Sequence, residues 1–176
     1  MKFQFKHKKV IITLAACAVI ALGVTGTYAT LTDVAGKVMN HFSGEEINTH
    51  IDEDFPPQEV IPGATLDKDV KVANDGPSDA FIRARVTISP EGMAETLGKD
   101  ANWYYNTTDG WYYYSKVVAV GSKTTSLFTQ VKLDGQLKEN LDVTVYQEAV
   151  GCGHYTAEDE VPMQKIMEAF EKVTTK

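Results

Sequence analysis

The chain has 176 residues, with 17 lysines and arginines against 24 aspartates and glutamates, a net charge of −7. That acidic balance argues against nucleic acid and anionic membrane surfaces as partners, because both reward lysine and arginine. With only two cysteines, a disulfide-stapled framework is excluded and the fold must rest on packing.

Residues 1–29 read as an export signal. Lys2, Lys6, Lys8 and Lys9 form a basic head and Val10 to Val24 an apolar run, while Thr27 and Ala29 place small residues at −3 and −1 of a cut before Thr30. The run of about 15 residues falls short of the roughly 20 that a membrane span needs. A signal peptidase is therefore an expected partner. Cleavage would remove four basic residues and no acidic one, leaving a net charge of −11, and would take Cys17 away so that Cys152 stands alone.

Thr30 to Ser43 mixes small, polar and apolar residues without firm periodicity, and residues 30–45 read as an extended or weakly helical arm. A domain over 46–176 follows. Ile47 and Ile51 flank a polar stretch that Asp52-Glu53-Asp54-Phe55-Pro56-Pro57 ends, since proline cannot continue a central strand. Pro62-Gly63 is a turn pair; Leu66, Val70 and Val72 lead to a second turn at Asn74-Asp75-Gly76-Pro77. Ala80 to Ser89 alternates strictly, with Phe81, Arg83, Arg85 and Thr87 on one face and Ile82, Ala84, Val86 and Ile88 on the other.

Pro90 to Lys99 carries Met93, Ala94, Glu95 and Leu97 before Gly98, which predicts a short helix between strands. Trp103-Tyr104-Tyr105 and Trp111-Tyr112-Tyr113-Tyr114 flank a turn ending in Asp109-Gly110, the pattern of a hairpin. Val117 to Val120 is expected to continue that strand, Thr124 to Leu133 to make the next, and Leu141 to Val150 a further one. Glu158 to Val173 places Val161, Ile166, Met167 and Phe170 at helical spacing, with Pro162 in the first turn. About seven strands with no recurring strand–helix–strand rhythm predict an all-β antiparallel sandwich with one inserted helix and a C-terminal amphipathic helix.

With these residues in place, the chain resembles the TasA/camelysin family of exported bacterial proteins. The resemblance is carried by Gly26-Thr27-Tyr28-Ala29-Thr30-Leu31-Thr32-Asp33 at the cut, by Asn40, Phe42, Gly44 and Ile47, and by Pro62-Gly63. It continues through Lys71-Val72, Asn74, Gly76 and Asp79-Ala80-Phe81-Ile82-Arg83-Ala84-Arg85-Val86, then Trp111 to Tyr114, Leu127-Phe128 and Glu148-Ala149-Val150. It departs from the family pattern at Thr30-Leu31, where an aromatic pair is usual, and at Gly151-Cys152-Gly153-His154. The resemblance implies a jelly-roll sandwich, cleavage by the dedicated peptidase SipW, and matrix fibres in which the arm completes the sheet of the next subunit.

A camelysin-type secreted metallopeptidase is the alternative that the resemblance raises. A zincin helix presents two histidines at i and i+4 around a glutamate, and no such pattern occurs. His41, His50 and His154 would have to converge across the fold, with Glu46 or Asp52. Cys152 beside His154 lacks an indicated acid partner and reads as a packing residue at a strand end; an exposed thiol would instead cross-link subunits. The acidic run Asp52-Glu53-Asp54 does not have the spacing of an EF-hand loop.

The aromatic cluster fits cross-strand packing or a sugar-stacking platform. Arg83 and Arg85 are candidates for intersubunit pairing with Asp52, Glu53 and Asp54. No catalytic residue, metal or cofactor is expected.

The sequence thus predicts a secreted, non-enzymatic structural protein of a bacterial surface or biofilm matrix. Its main partner would be itself, with a minor fibre or anchoring protein as a candidate second one and a monomeric glycan-binding adhesin as a further alternative. The donor residues would be Thr30, Leu31, Val34, Val38 and Phe42, because an arm without a core of its own can pair with a neighbour's sheet edge.

Overall fold

A computed structural model describes residues 31–32, 39–42, 45–137 and 140–174, with side chains over 47–137 and 140–172. The expected leader, the expected cleavage residues Thr27, Ala29 and Thr30, and the expected donor residues Val34 and Val38 lie outside the described residues. Among the described residues there are one helix and ten strands, the strands forming two five-stranded sheets. The first sheet runs β1 (Leu31–Thr32), β10 (Leu141–Gly151), β5 (Ala80–Ser89), β8 (Trp111–Tyr114), β7 (Trp103–Asn106). The second runs β2 (Met39–Phe42), β3 (Glu45–Asp54), β4 (Thr65–Asn74), β9 (Phe128–Leu133), β6 (Ala94–Leu97).

The predicted all-β sandwich is present. Its core is built by alternation, with Leu66, Val70 and Val72 of β4 and Phe128, Val131 and Leu133 of β9 buried in one cluster with Ile82 and Ala84 of β5 and Val143, Val145 and Ala149 of β10. Gln147 lies in the same inward row. Its Nε2 donates across the sandwich to the Thr49 carbonyl at 2.8 Å, while its buried Oε1 has no hydrogen-bond partner among the described residues.

The predicted turn after β4 is closed by Asn74, whose Nδ2 donates to the Ser78 and Val118 carbonyls while its Oδ1 accepts from the Gly76 amide. A side chain at Gly76 would lie 2.7 Å from the Asn48 nitrogen, so the position needs glycine.

The predicted C-terminal helix is present as α1 (Met163–Thr174), but it starts after Pro162, five residues later than the expected Glu158. Pro162 precedes the first turn and accepts from the amides of Lys165 and Ile166. The apolar stripe of Ile166 and Phe170 packs on the outer face of the first sheet, against Phe81, Tyr113, Val150 and Cys152. Burial of each large side chain there contributes about 1.5–3 kcal/mol.

Two expectations need correction. The inserted helix predicted over Pro90 to Lys99 is the strand β6, paired antiparallel with β9 through Ala94↔Leu133 to Leu97↔Gln130. A helix of ten residues at most must meet the full nucleation cost for few hydrogen bonds, whereas the free edge of β9 offers partners to an extended backbone. Gly92 and Gly98 at positive φ bend the chain at either end, and a side chain at Gly98 would run into Thr129.

The second concerns 115–127, which holds no strand. Val118 makes a single bridge to Ala80, and Thr124 and Leu127 donate to Val72 and Val70 outside any ladder. The reason is topological: β8 belongs to one sheet and β9 to the other, so this segment must cross between them.

Several carboxylates lie below their ordinary range. Asp100 is held down by the Asn102 amide and the Thr125 hydroxyl, Asp159 by the amide and hydroxyl of Thr156, and Glu168 by Lys165. For Asp69, burial pushes the other way but is outweighed by hydrogen bonds from Lys71 and Ser126. A lowered folded pKa stabilises fully above the unfolded value of about 4 and is lost as pH falls through the folded value. The urea midpoint should therefore be level from about pH 7 to 5 and fall below about pH 4, with Asp100→Asn flattening part of that fall; a midpoint that is unchanged at low pH would contradict this.

Candidate functional site

The two short strands of the arm close both sheets. Strand β1 lies parallel to the start of β10, Leu31 opposite Leu141 and Thr32 opposite Asp142. Strand β2 lies antiparallel to β3, with Met39 opposite Asn48 and Phe42 opposite Glu45. Strands β10 and β3 belong to facing sheets, so the arm covers two backbone edges that would otherwise present unpaired N–H and C=O groups. Of the five predicted donor residues, Leu31 and Phe42 fall in these pairings.

The second candidate surface is the outer face of the first sheet, where β5 and β10 run antiparallel with Arg83 opposite Glu148 and Arg85 opposite Tyr146. Arg83 donates from Nε and Nη2 to Glu148 Oε2, at 2.8 and 2.5 Å, and from Nη1 to the Tyr113 hydroxyl. Its guanidinium also lies over the rings of Trp111 and Phe170, at 4.4 and 4.7 Å from their centroids. Arg85 lies 4.5 Å from the Trp111 centroid and donates through Nη2 to the Asp109 carbonyl at 2.5 Å.

Asp109 ties the hairpin turn to this face. It accepts from the Trp111 amide, from Asn106 Nδ2 and from the Tyr113 hydroxyl at 2.7 Å. Burial raises the Tyr113 phenol above its ordinary pKa, and the hydrogen bond to Asp109 adds to it.

The acidic run predicted to face another subunit is largely engaged within the chain. Asp52 pairs with Lys123 at 2.8 Å and Glu53 with the buried Lys68 at 2.6 Å. Arg83 is likewise taken by Glu148. Asp54 ends β3 in an exposed position, and neither it nor Arg85 has an ion-pair partner among the described residues.

The aromatic hairpin divides by face. Trp103 and Tyr114 are buried with ring centroids 5.1 Å apart, Tyr105 and Tyr112 stack at 4.6 Å, and Tyr104 and Tyr105 are exposed. Cross-strand packing accounts for most of the cluster.

His50 pairs through Nδ1 with Asp75, and the His154 ring stacks on Tyr155 at 4.2 Å. Strand β2 carries His41 in its backbone pairing opposite Glu46. Among the described residues no group of three or more His, Cys, Asp or Glu side chains is arranged to hold a metal. Cys152 is buried under the helix-covered cluster, its Sγ 3.0 Å from the Tyr155 carbonyl, which suits a packing residue rather than an exposed cross-linking thiol.

Sequence reasoning missed Tyr146 and Glu148 as neighbours of the two arginines, although alternation along 141–151 puts both on one face. It also missed Lys68, whose position in the inward row Leu66, Lys68, Val70 was the available signal. Against known proteins, no family model, curated protein or solved structure matches the chain.

Proposed function

We propose that the chain is an exported, non-enzymatic structural protein whose jelly-roll-like sandwich assembles into extracellular or biofilm-matrix fibres by exchange of its N-terminal arm. The observation that carries the reading is that the arm holds the sandwich edges through backbone pairing, β1 on β10 and β2 on β3. A strand that pairs within its own chain can make the same pairs with the next one, because exchange of an identical element creates no new chemistry. Repeated head to tail, that exchange gives an open filament rather than a closed ring. The resemblance to the TasA/camelysin proteins, the leader and the acidic mature chain agree with this reading.

Electron microscopy and light scattering on residues 30–176 test it. Filaments are expected that vanish when residues 30–40 are deleted, while the truncated chain keeps its β-sheet circular dichroism. Filaments that persist without those residues, or a monomer under every condition between mildly acidic and neutral pH, would overturn the reading.

A further inference from the structure

On the outer face of the first sheet, beyond the end covered by the helix, a pocket of about 300 Å³ is lined by Arg85, Thr87, Trp111, Tyr146, Gln147 and Glu148. We propose that this pocket binds an acidic sugar, a hexuronate unit of an anionic polysaccharide, with Arg85 receiving its carboxylate. The inference does not depend on fibre formation.

The charge pattern selects an anion. Arg83 is matched by Glu148, but Arg85 makes no ion pair among the described residues, and its buried Nε has no hydrogen-bond acceptor. The guanidinium makes its one described hydrogen bond to a neutral carbonyl, so its charge meets no described carboxylate and attracts an anionic group. It is also held in place beforehand, by the Asp109 carbonyl at 2.5 Å and the Trp111 ring at 4.5 Å, which lowers the ordering cost of binding.

The remaining lining separates a sugar acid from an acidic peptide. The Glu148 side chain is 37 % exposed, and the exposed Thr87 adds a hydroxyl. These groups accept from ligand hydroxyls, which a uronate ring carries beside its carboxylate and a run of acidic side chains lacks. Tyr146 is 50 % exposed and offers a flat apolar face of the kind that packs on a sugar ring. A volume at the small end of ligand pockets suits one ring rather than a long segment.

Calorimetric titration of the full chain tests this with three probes: trigalacturonate, its neutral methyl ester, and triglutamate. Trigalacturonate should bind, with the ester and triglutamate each weaker by about tenfold or more, as loss of a charge-assisted contact implies. Arg85→Gln and Tyr146→Ala should each weaken trigalacturonate by at least about fivefold. The Tyr146 variant alters an exposed side chain, so its loss of binding is separable from misfolding, which circular dichroism checks for both.

Binding of the ester within threefold of the acid, no binding of the acid, or unchanged affinity in either folded variant would overturn the proposal. Triglutamate binding as tightly as the sugar acid would also overturn it and assign the pocket to an acidic peptide.

Discussion

Trp103→Ala is expected to lower the free energy of unfolding by about 3–5 kcal/mol, the range for truncating a buried large aromatic side chain. Trp103 is 1 % exposed, packs against Tyr114 and donates from Nε1 to the Thr125 carbonyl at 2.9 Å. It therefore joins the outermost strand of one sheet to the segment that crosses to the other. Removing it leaves a cavity at that joint and an unsatisfied carbonyl. Against a typical domain stability of about 5–15 kcal/mol this is a large share.

Urea denaturation is the measurement, read as a shift in midpoint at constant slope. Trp103→Phe keeps most of the packing but loses the donor, and should cost only about 1–3 kcal/mol. Tyr104→Ala, one residue along on the exposed face, should stay within about 0.5 kcal/mol. Equal costs for Trp103→Ala and Tyr104→Ala would contradict the placement of this strand.

The second large effect is expected at Lys68, a lysine 1 % exposed whose Nζ donates to Glu53 Oε2 at 2.6 Å beneath the Phe55 ring. Removing one partner of a buried ion pair leaves the other charge in a poorly solvated place, so Lys68→Ala should cost about 3–5 kcal/mol. Replacing both partners, as Lys68→Met with Glu53→Leu, should recover most of that loss, because the pair is costly to desolvate and an apolar filling is not. A double variant as unstable as Lys68→Ala alone would show that the pair contributes through something other than mutual charge compensation. The same urea experiment reads both.

Much of the sandwich was legible because the signals are local. The ten-residue alternation of 80–89, the Asn74 to Pro77 turn, the Asp109-Gly110 hairpin and the stripe of Ile166 and Phe170 all lie within a few residues of one another. What escaped was set by distant partners. Ala94 to Leu97 has helix-forming residues, yet the open edge of β9 takes it as a strand. Val117 to Val120 has strand residues, yet it lies on the crossing between sheets.

The site followed the same rule. Sequence placed Arg83 and Arg85 on one face, but only the register of β5 against β10 brings Glu148 and Tyr146 beside them. Likewise the acidic run after Ile51 reads as a free charged surface until Lys68 and Lys123, far along the chain, take two of its three carboxylates.

The central claim, that the arm pairs between chains in a fibre, is tested most directly by trapping the pairing in mixed filaments. Thr32→Cys and Asp142→Cys stand opposite each other in the β1–β10 register, and can be oxidised in filaments grown from equal parts of unlabelled and ¹⁵N-labelled subunits. The account predicts disulfide-linked peptides that join light to heavy chains as often as chance mixing allows. Linked peptides that are only light–light and heavy–heavy would mean that each arm stays on its own sandwich, and would contradict assembly by exchange.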